Sequence, residues 1–279
     1  MDIIQVLQSI ALGIIQGITE WLPISSKAMM SMIMVSFFNM NLSEAVYYAI
    51  WLHIGSLFAV ALFYRNDIIK LLSNLPTYAR DIRDPHRYKR GYNKLTTFLI
   101  IATFCTALIG APLLVFGLTK LQFTGSYAIA FIGALLIGTG LLQLYARQRV
   151  GKRNRSLSVT DAIIVGILQG VATLPGFSRS GLTVSALLLR RYSAKDALNL
   201  SFLMYIPAVL GAEIGLSLIK SGTYFTAYSL VAIVVAFVFA LLTISTLLKV
   251  AERINFGYFC IFIGCLSFIP LFITLAGVA

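Results

Sequence analysis

Charge is what this sequence has least of. Only 11% of its 279 residues are Asp, Glu, Lys or Arg, against about a quarter in an ordinary soluble domain. That shortage excludes a fully water-solvated surface. Apolar residues make up 59% of the chain and mean hydropathy is +0.89, so the solvent is lipid. Acidic residues are scarcer still, 10 against 22 basic ones, for a net charge of +12. A basic chain can signal nucleic acid, but here the basic residues sit in short loops between apolar runs, which is the pattern of membrane topology signals. No nucleic-acid partner is expected. The three cysteines, Cys105, Cys260 and Cys265, lie inside apolar runs. No metal-ligand spacing links them, and they read as small core residues. The chain opens Met1-Asp2 without a basic leader, so no cleavable signal peptide is expected.

Six apolar runs are long enough to cross a bilayer, which takes about 20 residues: 45–64, 95–116, 125–145, 199–219, 228–248 and 256–277. Two other apolar stretches are interrupted. Residues 3–19 meet the segment Glu20 to Lys27 before resuming at 28–38, and residues 162–174 meet Pro175 to Gly181 before resuming at 182–189. The pieces are too short to span, so each pair predicts a re-entrant helical hairpin. Irregular backbone at depth is tolerated only inside protein or beside a wet cavity. The predicted fold is therefore an all-α membrane protein of six transmembrane helices plus two re-entrant hairpins, in one integral domain covering 1–279. It is multi-pass, in the cell membrane among its lipids.

Charge tests that layout. Eight Lys/Arg fall in loop 65–94 and five in 147–157; Arg190, Arg191 and Lys195 follow the second hairpin, and Lys249 and Arg253 follow the fifth span. The topology puts all of these on one face, which the positive-inside rule makes cytoplasmic. Lys120 and Lys220 fall on the other face, with both termini. Hairpin one then enters from outside and hairpin two from the cytoplasm.

A repeat runs through the chain. Gly13-Ile-Ile-Gln-Gly-Ile18 matches Gly166-Ile-Leu-Gln-Gly-Val171, and Pro23-Ile-Ser-Ser-Lys27 matches Pro175-Gly-Phe-Ser-Arg179. Each half, about 1–146 and about 158–279, is one hairpin plus three spans. Three crossings are odd, so the halves are predicted to have opposite orientations: an inverted-topology repeat with its site where the broken helices meet.

The polar residues at the breaks define that site. Glu20, Lys27 and Arg179 lie in apolar surroundings, where an unpaired charge costs about 3 kcal/mol or more. The plainer reading is an ion-pair staple. Two half-helices beginning at the breaks would aim free N–H groups and positive dipole ends at the midplane, which favours an anion. Gly176 and Gly181 would allow close approach to it. Ser25, Ser26, Ser178 and Ser180 add hydroxyls, which could equally cap the half-helices. Arg179 offers a bidentate fork for phosphate. Gln16 and Glu20 share a helix face. A carboxylate beside an anion site is explained by a bound divalent cation, Mg²⁺ or Ca²⁺, or by a simple Gln–Glu hydrogen bond. His53 and Glu213 are second-rank candidates. His53 reads equally as a packing residue, and Glu213 could pair with Arg179 or face another helix.

These residues resemble the undecaprenyl-diphosphate phosphatase, or bacitracin-resistance, family. Its first motif stands here as Gln16-Gly-Ile-Thr-Glu20-Trp-Leu-Pro-Ile-Ser-Ser-Lys-Ala-Met29, and its second, Pro-Gly-x-Ser-Arg-Ser-Gly, is intact at 175–181. The resemblance covers essentially the whole chain. It departs at Lys27-Ala28-Met29, where the family usually carries Thr-Gly-His. Either Glu20 then carries the proton, or this chain does not hydrolyse as its relatives do. The resemblance implies hydrolysis of a polyprenyl diphosphate to the monophosphate and inorganic phosphate, regenerating a lipid carrier for glycan assembly. Arg179, Ser178 and Ser180 would clamp the diphosphate. Glu20, with Gln16, would hold the cation or activate the nucleophile. Ser26, or water, would attack; Ser25 and Lys27 would add phosphate contacts. A polyprenyl-phosphate flippase is the alternative, since inverted repeats with midplane half-helices are a transporter architecture. An ion channel is disfavoured because no ring of like charges lines the spans. Whether the chain forms a homodimer is left open by the sequence.

Overall fold

The computed structural model describes residues 2–83, 91–117, 123–151, 156–219 and 226–277. Lys120 and Lys220, expected on the outer face, lie outside these residues. Described in chain order, the helices are α1 Ile3–Thr19, α2 Ser26–Phe38, α3 Leu42–Phe63, α4 Arg65–Asp81, α5 Gly91–Pro112 with a π-helical extension Leu113–Gly117, and α6 Gly125–Arg147. After these come α7 Val159–Val171, α8 Arg179–Leu189, α9 Ala194–Ile219, α10 Ala227–Arg253, α11 Gly257–Leu266 and α12 Ile269–Leu275. Six stretches are long and apolar enough to cross a membrane, running from Leu42–Phe63 to Gly257–Leu275. Among the described residues there is no strand.

Three expectations change. Residues 65–81 are helical rather than loop. Tyr78 on α4 is buried and accepts from Thr97 Oγ1 at 3.2 Å, while Ile69 and Leu72 stay exposed. The polar residues of α4 hid it from a search for long apolar runs. The last span divides at Ser267–Phe268 into α11 and α12, because Pro270 cannot donate to the turn before it. The half-helices also begin earlier than expected, at Ser26 and Arg179. Ser26, Lys27, Arg179 and Ser180 therefore sit on first helical turns, not in the breaks.

Close backbone approach assembles the core. A Cβ on Gly13 would lie 2.6 Å from Ala232 O, and one on Gly17 2.6 Å from Ala236 O, so only glycine lets α1 seat on α10. The matching glycines of α7 do the same on α5: a Cβ on Gly166 would lie 2.5 Å from Ala102 O, and one on Gly170 2.7 Å from Ile109 Cβ. Each half thus lends its first short helix to a long helix of the other. Outward-facing residues are large and apolar, with Leu218 83%, Leu242 70% and Tyr258 70% exposed. A continuous surface of that kind belongs against lipid.

The two ends of the bundle are tied separately. At one end Lys94 donates to Ser156 Oγ at 2.9 Å, Arg190 pairs with Asp161 and Arg147 donates to Glu252 O. At the other, Asp2 N–H donates to Tyr228 Oη at 2.9 Å, Leu42 N–H to Phe123 O at 3.2 Å and Thr274 Oγ1 to Ser126 Oγ at 3.2 Å. The Arg190–Asp161 pair brings the end of α8 back to the start of α7. The basic loops share one end, as the charge pattern expects.

Candidate active site

The breaks of the two helix pairs meet in the interior. Glu20, 5% exposed, ends α1. Its Oε2 accepts from Ser26 Oγ at 2.6 Å and from Gln16 Nε2 at 3.0 Å, and lies 3.2 Å from His53 Nε2. Its Oε1 accepts from Arg179 Nη2 at 3.1 Å. The other arm of Arg179, Nη1, donates to Ser201 O at 3.1 Å. The guanidinium rests 4.2 Å from the ring centre of Tyr205 and 5.2 Å from that of Phe202. Removing one partner of such a buried pair costs about 3–5 kcal/mol, so the arrangement is held firmly.

The two motifs reach across reciprocally. Arg179, from the second break, takes the carboxylate that ends α1. Lys27, from the first, donates to Ala172 O at 2.8 Å and Thr173 O at 2.6 Å, the negative pole of α7. The expected ion-pair staple is thus real for Arg179 and absent for Lys27. Two of the three ammonium hydrogens of Lys27 are committed to main chain, leaving one for a ligand. Ser180 Oγ donates to Leu22 O at 3.4 Å and Ser25 Oγ to Phe177 O at 3.4 Å. The capping reading of the serines also holds: Ser25 Oγ accepts from Ala28 N–H at 3.3 Å and Ser178 Oγ from Gly181 N–H at 3.1 Å. The earlier amides of each first turn have no acceptor within their helices.

A cavity of ≈ 260 Å³ opens on this cluster. Its polar wall includes Glu20, Ser25, Ser26, Lys27, His53 and Arg179, together with Ser178, Ser180 and Tyr205. Its apolar wall runs between α5 and α9, with Ala107, Ala111 and Leu114 facing Ala208, Ala212 and Gly215. A polar end joined to an apolar slot suits an amphiphile with an anionic head.

The pattern of residues matches a known family. Residues 9–269 match the family described as Bacitracin resistance protein BacA. The chain belongs to the BacA family. Similar proteins are named undecaprenyl-diphosphatase. That of Methanococcoides burtonii is 45% identical over 270 residues, covering 95% of this chain and 98% of the relative. That of Methanopyrus kandleri is 37% identical, covering 96% and 97%, and that of Methanothrix thermoacetophila 35%, covering 94% and 95%.

Several assignments move once this BacA-family site is seen in three dimensions. Gly176 and Gly181 do not line the cavity. A Cβ on Gly176 would lie 2.5 Å from Ile132 O, and one on Gly181 2.8 Å from Thr139 Cγ2, so both glycines let the second break press on α6. Glu213 does not meet Arg179; both its oxygens are buried without a hydrogen-bond partner. Gln16 turns its amide N–H groups to Glu20 and to Ser56 Oγ, at 3.0 and 3.2 Å. Its Oε1 is buried and unpaired. One free oxygen beside a carboxylate already taken by a guanidinium, an imidazole, a hydroxyl and an amide does not fit resident Mg²⁺ or Ca²⁺, each of which needs at least about six oxygens. Among the described residues no group of three His, Cys, Asp or Glu is placed to hold a metal. Met29 packs on the apolar cluster of Ile24, Leu136 and Cys260.

Sequence reasoning missed Tyr205, Ser56 and Ser201. Tyr205 Oη and Ser56 Oγ are 2.8 Å apart, which links Arg179's aromatic floor to Gln16. The quoted segment Trp51-Leu-His-Ile-Gly-Ser56 held the one available signal, a serine one helical turn from a histidine.

Proposed function

We propose that this chain hydrolyses undecaprenyl diphosphate, or a polyprenyl diphosphate like it, to the monophosphate and inorganic phosphate, recycling a lipid carrier for cell-envelope glycan synthesis. The observation that carries the reading is one carboxylate, Glu20, bonded at once to a hydroxyl from the first break and a guanidinium from the second, at the floor of a partly apolar cavity. A short Ser–carboxylate contact supplies a nucleophile with its proton acceptor. Arg179, Ser178, Ser180 and the first-turn amides supply preorganised donors for phosphate charge.

In this reading Ser26 Oγ attacks the terminal phosphorus as its proton passes to Glu20. The bond from phosphorus to the bridging oxygen breaks, and polyprenyl monophosphate leaves with that electron pair. Water then cleaves the phosphoserine, releases inorganic phosphate and restores the Ser26 hydroxyl. Arg179 would exchange part of its hold on Glu20 for the phosphate. The remaining hydrogen of Lys27 would meet the second phosphate. Pockets that enclose drug-sized ligands run about 300–1,000 Å³, so a cavity of ≈ 260 Å³ takes the head and the first isoprene units. The rest of the tail would leave into lipid through the α5–α9 slot.

The reciprocal seating of α1 on α10 and α7 on α5 supports two inverted halves, about 1–146 and about 158–279, in the cell membrane, with the pocket reached from the external face.

The test is phosphate release from a polyprenyl diphosphate by the detergent-purified protein, with Mg²⁺ and with EDTA to measure any ion carried on the substrate. We expect release by the native chain and none by Arg179→Ala. Near-normal release by that variant would sink the clamp. No release by the native chain, with movement of lipid phosphate in proteoliposomes, would replace hydrolysis with transport.

A further inference from the structure

The carboxylate that receives the Ser26 proton has a second neighbour on the same oxygen. His53 Nε2 lies 3.2 Å from Glu20 Oε2, the atom that accepts from Ser26 Oγ at 2.6 Å. His53 Nδ1 is 2.6 Å from Ala49 O. A carbonyl can only accept, so Nδ1 carries a hydrogen. In the neutral ring Nε2 then presents a lone pair to an oxygen that has no hydrogen to give it until Ser26 supplies one. The ring is held for this. Its Nδ1–H is fixed by the helix, and its own carbonyl accepts from Ser56 Oγ at 3.0 Å and from Tyr205 Oη at 3.5 Å. The side chain is 13% exposed and lines the cavity. The other charged or titratable groups around it are Arg179 on the far oxygen of Glu20, Tyr205 from α9 and Lys27 on the cavity wall.

We propose that His53 is the terminal proton acceptor of a Ser26–Glu20–His53 relay, acting through Glu20 as a positioning residue. This rests on the phosphatase reading. As the Ser26 Oγ–phosphorus bond forms and the phosphorus–bridging oxygen bond breaks, the serine proton moves to Glu20 Oε2 and on to His53 Nε2. Glu20 therefore returns to the carboxylate that Arg179 needs, instead of standing protonated beside a guanidinium. In the second half the attacking water gives its proton by the same route, and the proton held from the first half leaves with phosphate or solvent. The protons balance over the cycle. The serine-to-carboxylate contact alone would predict that Glu20 suffices; the imidazole on the same oxygen is what that simpler account leaves unused.

The experiment uses the intact purified protein with a polyprenyl diphosphate. His53→Gln preserves size and a hydrogen-bonding tip but cannot carry the proton on. We expect kcat to fall roughly 10²- to 10³-fold, within the usual worth of general acid–base catalysis. KM should stay within about threefold and the melting temperature should match the native chain. His53→Ala should lose as much and regain at least roughly tenfold of kcat with added imidazole. A His53→Gln variant that keeps its kcat overturns the relay, as does a loss confined to KM or an alanine variant that imidazole leaves unmoved. If the native protein itself releases no phosphate, the phosphatase reading fails first and the relay with it. Native release together with an indifferent His53 defeats the relay alone.

Discussion

Arg179 stands on the first turn of its helix, where a positive charge opposes the helix dipole. Lys27 occupies the same unfavourable place on α2. Neither position is explained by helix stability, and each cation is compensated from across the molecule. That is why Glu20, Ser26 and Arg179 were legible in the sequence: polar groups in apolar context need a reason. Tyr205 and Ser56 were not, because an aromatic and a small hydroxyl on an apolar helix are ordinary. Their partnership joins residues 149 apart. Three substitutions belong at this scale. Ser26→Ala should cut kcat by roughly 10³-fold or more, the loss expected of a nucleophile, read as phosphate release at saturating substrate. Ser25 has φ +64°, a conformation that costs a non-glycine residue about 1–2 kcal/mol, whereas a cap loses only a few tenths of a kcal/mol on going from Ser to Gly. Ser25→Gly should therefore raise the melting temperature in detergent, and raise KM if its hydroxyl meets phosphate. Glu213 is 6% exposed and its oxygens are unpartnered. Replacing such a group by an apolar one of like shape is neutral or stabilising, so Glu213→Leu should melt no lower than the native chain and keep its turnover.

At the scale of elements, run length located the six long helices, and interrupted runs located the two broken pairs. Run length could not place the ends. Ser25 and Ser178 cap earlier than the apolar residues resume, which moved the reacting serine and the clamp arginine onto helical turns. Nor could it find α4, whose apolar positions alternate with polar ones. The glycines were read as repeat markers, and what they pack against could not be known from their spacing. Gly17→Val should test that packing. Its Cβ would meet Ala236 O, Ala240 N and Phe239 Cβ, all within 2.9 Å, and overpacking of this kind costs about 1–3 kcal/mol. A lowered melting temperature with parallel loss of turnover is expected. An unchanged melting curve would mean that α1 can slide on α10.

For the whole molecule, the slot between α5 and α9 governs which lipids fit. Gly211 lines the cavity, and a Cβ there would meet nothing within 4 Å, so a larger side chain folds without strain and fills the path of the tail. Gly211→Trp should raise KM for a long-chain diphosphate roughly tenfold, about 1.4 kcal/mol, and leave a short-chain one nearly unaffected. Competition between the two substrates reads the difference directly. The exchange of short helices between the halves also sets when the site can exist. The glycine face of α1 waits for Ala232 and Ala236, which lie in the last quarter of the chain. At roughly 5–20 residues per second of synthesis, that is an interval of about ten seconds or more. Until it ends, Glu20 has no seat and no Arg179 beside it. A growing chain is therefore inert toward its own membrane's lipids until translation is nearly complete, and a chain cut short never acquires the chemistry at all.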